Sequence, residues 1–319
     1  MDYEEASIRP QRFSDFIGQT QVKANLETAV RAARGRCEVL DHVLLTGQPG
    51  LGKSSLARIL ANEMGSKCHI ASAPLLRKTG DLTGVLLAMN PRDVLFVDEI
   101  HRLESRLEEI LYPAMEDFRL DLIVGERVVP FDLLPFTLIA ATTHAGMISE
   151  PLRARFGIAQ HLQYYTPAEL TLVVKRSARI LGVPIDESGA AEIARRGRGT
   201  PRIANCLLRR ARDHAQAHCE GRITASVVIE AADCLGIDTQ GLDAMDRRLL
   251  QTLVSNGGPV GLNTLAASIQ EDESAIANVR EPYLLELGFV QRTPRGRIAT
   301  PAAYSLLCIT KRPLVSLFS

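Results

Sequence analysis

The stretch GQPGLGKSS, Gly47 to Ser55, lies between an apolar run (VLLT) and a run with helical spacing (LARILANEM). It fits G-x-x-x-x-G-K-[ST] through Gly47, Gly52, Lys53 and Ser54. That spacing suits a phosphate cradle: glycines let backbone N–H groups turn inward, the lysine supplies a point charge and a hydroxyl ligates Mg²⁺. A glycine-rich turn with a solvent-facing lysine is the plainer alternative, but a strand before and a helix after are the context that phosphate binding requires. VLFVDEIHRL (94–103) adds a second chemical element, an apolar strand ending in Asp98 and Glu99. The first carboxylate would hold Mg²⁺ through water and the second would polarise the attacking water. The two motifs together predict hydrolysis of a nucleotide rather than binding alone.

Three further stretches carry polar groups that such a site can use. TLIAATTHAG ends in Thr142, Thr143 and His144, where a hydroxyl can stand between metal and γ-phosphate; a capping threonine is the plain alternative. SEPLRARFGI holds Arg153 and Arg155, either a solvated pair with snorkelling stems or the source of an arginine finger reaching a neighbouring subunit's nucleotide. Arg155, beside Phe156, is the choice for the finger. GRGTPRIAN opens a helix with Pro201 in its first turn and Arg202 next to it, a place where phosphates are attracted.

The elements that must position these groups can be read from periodicity. Apolar runs at 42–47, 68–73, 93–99 and 136–143 alternate with amphipathic helical stretches, which predicts an α/β fold with a mostly parallel sheet. LDLIVG and RVVPF predict a hairpin. After Tyr165 the texture becomes all-helical: TPAELTLVVKRSARILGV, ESGAAEIARRGRG, PRIANCLLRRARDHAQAH and ITASVVIEAADCLGI, the last capped by Thr224. Beyond Gly236, three helical stretches and two short strands around Pro-Arg-Gly predict a winged helix. The expected domains are 1–165, 166–237 and 238–319.

Bulk composition agrees with a globular chain: 319 residues, 46% hydrophobic, 23% charged and formally neutral. Neutrality argues against the whole surface being a nucleic-acid glove. Charge is local instead, since Gly288 to Ser319 contains no acid but does contain Arg292, Arg295, Arg297, Lys311 and Arg312. The six cysteines have neither C-x-x-C pairing nor a histidine at metal-ligand spacing and are expected to be reduced and mostly buried. The acidic, polar start and the absence of a spanning apolar run predict a cytoplasmic protein with no membrane association.

The order of these motifs resembles the AAA+ ATPases, whose parts are Walker A, Walker B, sensor 1, arginine finger and sensor 2. DEIH also spells the DExH helicase signature, but those enzymes need a second nucleotide-fold domain where this chain reads as helical. RPQRFSDFIGQ, DHVLLTGQPGLGKSSLA, EEILYPAMEDF, PLRARFGI, RGTPRIANCLLRRARD and EPYLLELGFVQRTPRGR are similar to the RuvB family, bacterial motors that drive branch migration of Holliday junctions. The resemblance implies an AAA+ domain with helices on both faces of its sheet, then a helical lid and a winged helix. It implies that Ile8 and Arg9 lie against the base and that Gly50, Gly52, Lys53, Ser54 and Ser55 hold the phosphates of ATP. Ser54 and Asp98 would serve Mg²⁺, Glu99 the water, and Thr143 would be sensor 1. Tyr165 and Arg202 would touch the nucleotide from the far side. Glu116, Asp117 and Phe118 would belong to the site at a subunit boundary, with Arg155 the finger offered in trans. Arg292 and Arg297 would contact DNA phosphates.

A ring, hexameric on double-stranded DNA, a RuvA-like junction-binding partner and a RuvC-like resolvase follow from the same resemblance. The chain departs from the family pattern at Gln48, where proline is usual, and at Ser54 and Ser55, which replace threonines while keeping hydroxyls. His144 replaces an arginine after sensor 1, making a local charge pH-dependent. Glu273 stands where an arginine near DNA is frequent, which weakens that contact. IVGERVVPFDLLPF is shorter than the family's partner-docking hairpin. The expected activity is ATP-driven branch migration in recombination and repair. The alternatives are a non-motor switch of clamp-loader type, which leaves the wing arginines without a task, and a DNA-binding paralogue with weakened partner coupling.

Overall fold

The computed structural model describes residues 8–124 and 127–309. The acidic start, Gly125 and Glu126, and Lys311 and Arg312 of the basic tail lie outside the described residues. The chain forms two compact units. One runs through Val183 and takes in Gly199–Asn205; the other comprises Pro184–Arg198 and the chain from Cys206 onward.

In the first unit, five strands form a parallel sheet in the order β2-β3-β6-β1-β7. They are β1 (Val43–Thr46), β2 (Cys68–Ser72), β3 (Val94–Asp98), β6 (Thr137–Thr142) and β7 (Ile158–His161). β6 is buried along its whole length, as a central parallel strand should be. Four of the strands coincide with the apolar runs; β7 was not anticipated. Its sequence IAQH is too short and too polar to stand out, yet it pairs with β1 from Val43↔Ile158 to Thr46↔His161. Between β3 and β6 the expected hairpin is present as β4 (Arg119–Val124) and β5 (Arg127–Asp132).

Six helices accompany these strands: α1 (Thr20–Arg36), α2 (Lys53–Met64), α3 (Thr79–Leu87), α4 (Ser105–Glu116), α5 (Glu150–Ala154) and α6 (Pro167–Leu181). Leu95, Val97, Leu138 and Ala140 of adjacent strands share a buried cluster with Leu107, Leu111 and Leu152 of α4 and α5. Burial of this kind, at about 25 cal/mol per Å² of apolar surface, holds the strand ends in fixed register. α6 starts with a capping box, Thr166 and Glu169 exchanging bonds around Pro167.

Together with α6, helices α7 (Glu187–Arg196), α8 (Pro201–His218) and α9 (Ala225–Cys234) account for the four predicted helical stretches. Thr224 caps α9 by accepting from the Val227 N–H. α10 (Ala244–Asn256), α11 (Leu262–Ile269) and α12 (Glu281–Glu286) precede the wing strands β8 (Val290–Thr293) and β9 (Gly296–Ala299), and α13 (Pro301–Leu306) follows. Leu249, Leu253, Leu265, Ile269, Leu284 and Phe289 form their core. The third helical stretch expected beyond Gly236, SAIANVREPYLLELG, is interrupted: a short turn at Glu273–Ala275, a π turn at Ile276–Arg280, then α12. Pro282 provides the reason, since its ring lacks an N–H and crowds the carbonyl four residues back, so the preceding turn widens.

The cysteines correct an expectation. All six are free, but Cys37, Cys206, Cys219, Cys234 and Cys308 are exposed and Cys68 is half-buried. Scattered small residues on helix ends and outer faces need not be core, and pairing logic says nothing about burial.

Candidate functional site

The carboxyl ends of β1, β3 and β6 lie side by side, with Thr46 opposite Thr142 and Val97 opposite Ala140. A crevice at such strand ends is where open parallel sheets bind ligands. Three loops leave this edge: the glycine loop before α2, the Asp98–Glu99 turn after β3 and the Thr143–His144 turn after β6.

The glycine loop is shaped by its neighbours. Gly52 has φ +103°, and a Cβ there would lie 3.0 Å from Phe16 Cε2. Gly50 has φ +82°, and its Cβ would meet Arg202 Cβ at 2.9 Å. No L side chain is at ease at either position, so the loop can present backbone alone. The Tyr165 hydroxyl, pushed to higher pKa by burial, donates to the Leu51 carbonyl at 3.2 Å and holds the loop from the other side. Lys53 is buried at the first turn of α2, where its ammonium donates to the carbonyls of Gly47 (2.7 Å) and Gln48 (3.0 Å). Burial lowers its pKa, and the charges of Asp98 and Glu99 partly restore it. Ser54 and Ser55 follow it on the same turn, both half-buried.

Asp98 ends β3 half-buried, accepting from the Glu99 N–H at 3.0 Å. Burial raises its pKa and Glu99 adds to the rise, against the Glu99 N–H, Lys53 and His101. A divalent cation would relieve that penalty, and bound phosphates would do the same for Lys53, so these donors fit Mg²⁺ with a polyphosphate. Among the described residues no cluster of three His, Cys, Asp or Glu could hold a metal by itself, and Mg²⁺ characteristically relies on one or two carboxylates plus phosphate oxygens and water.

Glu99 occupies the left-handed region at φ +53°. The Thr143 hydroxyl donates to its Oε2 at 3.2 Å, and Thr143 Oγ1 lies 2.8 Å from His144 Nδ1. Since the hydroxyl proton goes to Glu99, His144 carries the proton on Nδ1. Thr142 Oγ1 accepts from the His144 N–H at 2.9 Å and lies 2.9 Å from His101 Nδ1, within hydrogen-bond distance. His101 Nε2 lies 3.5 Å from Glu99 Oε2. Burial lowers the His101 pKa, against the opposing charge of Glu99. Thr142 was named with Thr143 and His144 but Thr143 was chosen, and His101 was not singled out, although the histidine in DEIH was in plain view. Its partner lies on another strand.

The other expected residues fall in separate places. Ile8 is buried, and its carbonyl accepts from Arg176 Nη1 at 2.8 Å; Arg9 beside it is half-buried. Arg202 is exposed next to the glycine loop through the Gly50 contact. Glu116 closes α4, exposed Asp117 follows, and half-buried Phe118 takes φ +52°. Arg155 lies with Glu116: Nη2 is 3.1 Å from Glu116 Oε2, Nη1 donates to the Pro151 carbonyl at 2.7 Å, and the guanidinium covers the Tyr112 ring at 4.3 Å. On the wing, Arg292 and Arg297 share one carboxylate, Glu281, which sequence reasoning did not notice.

A glycine loop between strand and helix, a carboxylate pair at the end of the next strand but one and a threonine at the end of the strand between them define an AAA+ P-loop ATPase. Family profiles match the Holliday junction DNA helicase RuvB P-loop domain at residues 8–162, the RuvB AAA lid domain at 165–238 and the RuvB C-terminal winged helix domain at 239–308. Among solved structures, the Thermotoga maritima RuvB Holliday junction branch migration motor matches with 47% identity and TM-score 0.89, covering 96% of this chain and 100% of that one. A lysine-to-arginine variant of the same protein matches at 47% and 0.89, with 96% and 99% covered. An arginine-to-alanine variant matches at 46% and 0.88, with the same coverage. The chain belongs to the RuvB family.

Proposed function

We propose that this chain couples Mg²⁺-dependent ATP hydrolysis to movement of double-stranded DNA and so drives branch migration of Holliday junctions in recombination and repair. The observation that carries the reading is the Thr143–Glu99 bond at the strand edge beside Lys53 and Asp98, in a chain whose similarity to a branch migration motor extends through the winged helix.

In this reading the backbone at Gly50 and Gly52, with Lys53, Ser54 and Ser55, takes the phosphates, and Ile8 and Arg9 line the base. Ser54 and Asp98 hold Mg²⁺, which supplies charge neutralisation across the transferring phosphoryl group. Glu99 orients the attacking water and Thr143 holds Glu99. Arg202, packed on the glycine loop, senses the γ-phosphate, and Tyr165 braces that loop. Arg155 serves a neighbouring subunit's nucleotide, with Glu116, Asp117 and Phe118 on the same boundary of a ring, a hexamer on DNA. The division into an ATPase domain (1–165), a lid (166–237) and a winged helix (238–319) belongs to the proposal, as do docking of a RuvA-like partner on the β4–β5 hairpin, cooperation with a RuvC-like resolvase and a cytoplasmic location. Among the described residues, no helix is long and apolar enough to cross a membrane.

The test is ATP turnover by the purified chain with Mg²⁺, with and without duplex DNA. Turnover that rises with duplex and disappears in Glu99→Gln supports the reading, and turnover indifferent to both overturns it.

A further inference from the structure

Arg292 and Arg297 stand directly opposite each other on the wing, β8 against β9. Two like charges in that relation destabilise a hairpin unless something lies between them. Glu281 is that element. Its Oε1 accepts from Nε of Arg292 at 3.0 Å and of Arg297 at 2.9 Å, and its Oε2 accepts from Nη2 of Arg292 at 3.0 Å and of Arg297 at 3.2 Å. The carboxylate side chain is 2% exposed, whereas Arg292 is 54% exposed. The backbone is fixed too: Arg297 and Val260 exchange both N–H···O bonds, at 2.9 and 2.8 Å, and a Cβ on Gly296 would fall 2.3 Å from the Val260 carbonyl oxygen.

We propose that Glu281 is the positioning residue of the DNA-binding wing, holding both guanidinium groups by their Nε–Nη2 edges so that their remaining donors meet duplex phosphates in a fixed pose. The inference rests on the reading that these arginines contact DNA, and deepens it. A guanidinium has five donors in a rigid fork. Glu281 uses one edge of each and leaves Nη1 for another acceptor. DNA cannot usefully displace the carboxylate, because that would strand a buried charge without a partner in exchange for a contact at the surface. The arrangement carries two cations on one anion, so it keeps a net positive charge while removing the rotamer freedom that long basic side chains otherwise lose on binding.

A purely electrostatic wing and a wing held by Glu281 differ in sign. Loss of the Glu281 charge should tighten DNA binding in the first case and weaken it in the second. The experiment is fluorescence-anisotropy titration of labelled duplex with the full chain across a salt series. Arg292→Ala should bind more weakly and lower the slope of log affinity against log salt by about one unit. Arg292→Lys, which keeps the charge and loses the fork, should keep the slope and bind about fivefold more weakly. Glu281→Gln should also bind about fivefold more weakly although it makes the wing more positive. Wild-type or tighter binding by Glu281→Gln or by Arg292→Lys overturns the proposal. If circular dichroism shows that Glu281→Gln is unfolded, the exposed Arg292→Lys decides alone. Wild-type affinity and slope in Arg292→Ala would instead remove the wing from DNA binding altogether, and the proposal with it.

Discussion

Arg155 Nη2 lies 3.1 Å from Glu116 Oε2, within one chain and with the guanidinium over Tyr112. Under the proposed trans role, an exposed carboxylate and a ring face would hold Arg155 ready for a neighbour's nucleotide, through contacts weak enough to give way to a triphosphate. Arg155→Ala should leave ATP binding intact and lower turnover by about 10³-fold or more. Mixing it with Lys53→Ala subunits, which keep Arg155, should restore part of the activity; mixing with Glu99→Gln subunits should not. No recovery in the first mixture, measured as phosphate release, would place the arginine's role within its own subunit.

Lys53 donates to the carbonyls of its own loop, and burial disfavours its charge. A triphosphate supplies the anion that makes the buried ammonium favourable. Lys53→Ala should therefore lose nucleotide binding, read by titration with a fluorescent ATP analogue. Equal affinity in variant and wild type would contradict the assignment of the cradle.

Thr143 bonds Glu99 on one side and His144 on the other. Thr143→Val keeps the shape and removes the hydroxyl, so a bond to a charged group worth about 1.5–3 kcal/mol is lost. ATP affinity should stay within about twofold while turnover falls about tenfold or more. A parallel fall in affinity would make Thr143 a binding residue instead.

Burial pushes the Glu281 carboxyl up, but hydrogen bonds and charge from Arg292 and Arg297 outweigh it and hold the group below the usual glutamate range. A folded-state pKa below the unfolded one gives stability that is present above the unfolded value, about 4.3, and is lost as pH falls through the lower folded value. The urea midpoint of the wild type should therefore drop below pH 4 more steeply than that of Glu281→Gln. Parallel curves would show that the carboxylate is not ionically held.

Arg198 carries another buried pairing, 3.1 Å from Asp246, whose side chain is 0% exposed, and its guanidinium lies 4.7 Å over the Tyr283 ring. Arg280 also contacts Asp246 at 3.1 Å. Arg198→Ala leaves a buried carboxylate half-paired and should cost about 3 kcal/mol. Unfolding by urea measures it, and a loss under about 0.5 kcal/mol, the level of a surface pair, would show that Arg280 suffices.

The sequence displayed what depends on local spacing. Lys53 and Ser54 follow a glycine loop, Asp98 and Glu99 end an apolar strand, and Thr224 caps a helix. All of these are readable because partners lie within a few residues. What escaped depends on partners distant in the chain or on weak local signals. β7 is a four-residue strand with an exposed side. His101 acquires meaning only when β6 brings Thr142 within 2.9 Å. Glu281 looks like an ordinary acid in the first turn of a helix until the wing folds back over it. The π turn at Ile276–Arg280 is the reverse case, a disturbance whose cause, Pro282, was visible but whose local consequence was not drawn.

The measurement that bears most directly on the account is branch migration of a synthetic four-way junction by the purified chain, with Mg²⁺ and ATP and with or without a RuvA protein. Strand products that appear only with ATP, and vanish with Glu99→Gln, are the predicted result. A junction left in place while ATP is consumed at the wild-type rate under every one of these conditions would contradict the conversion of hydrolysis into movement of DNA.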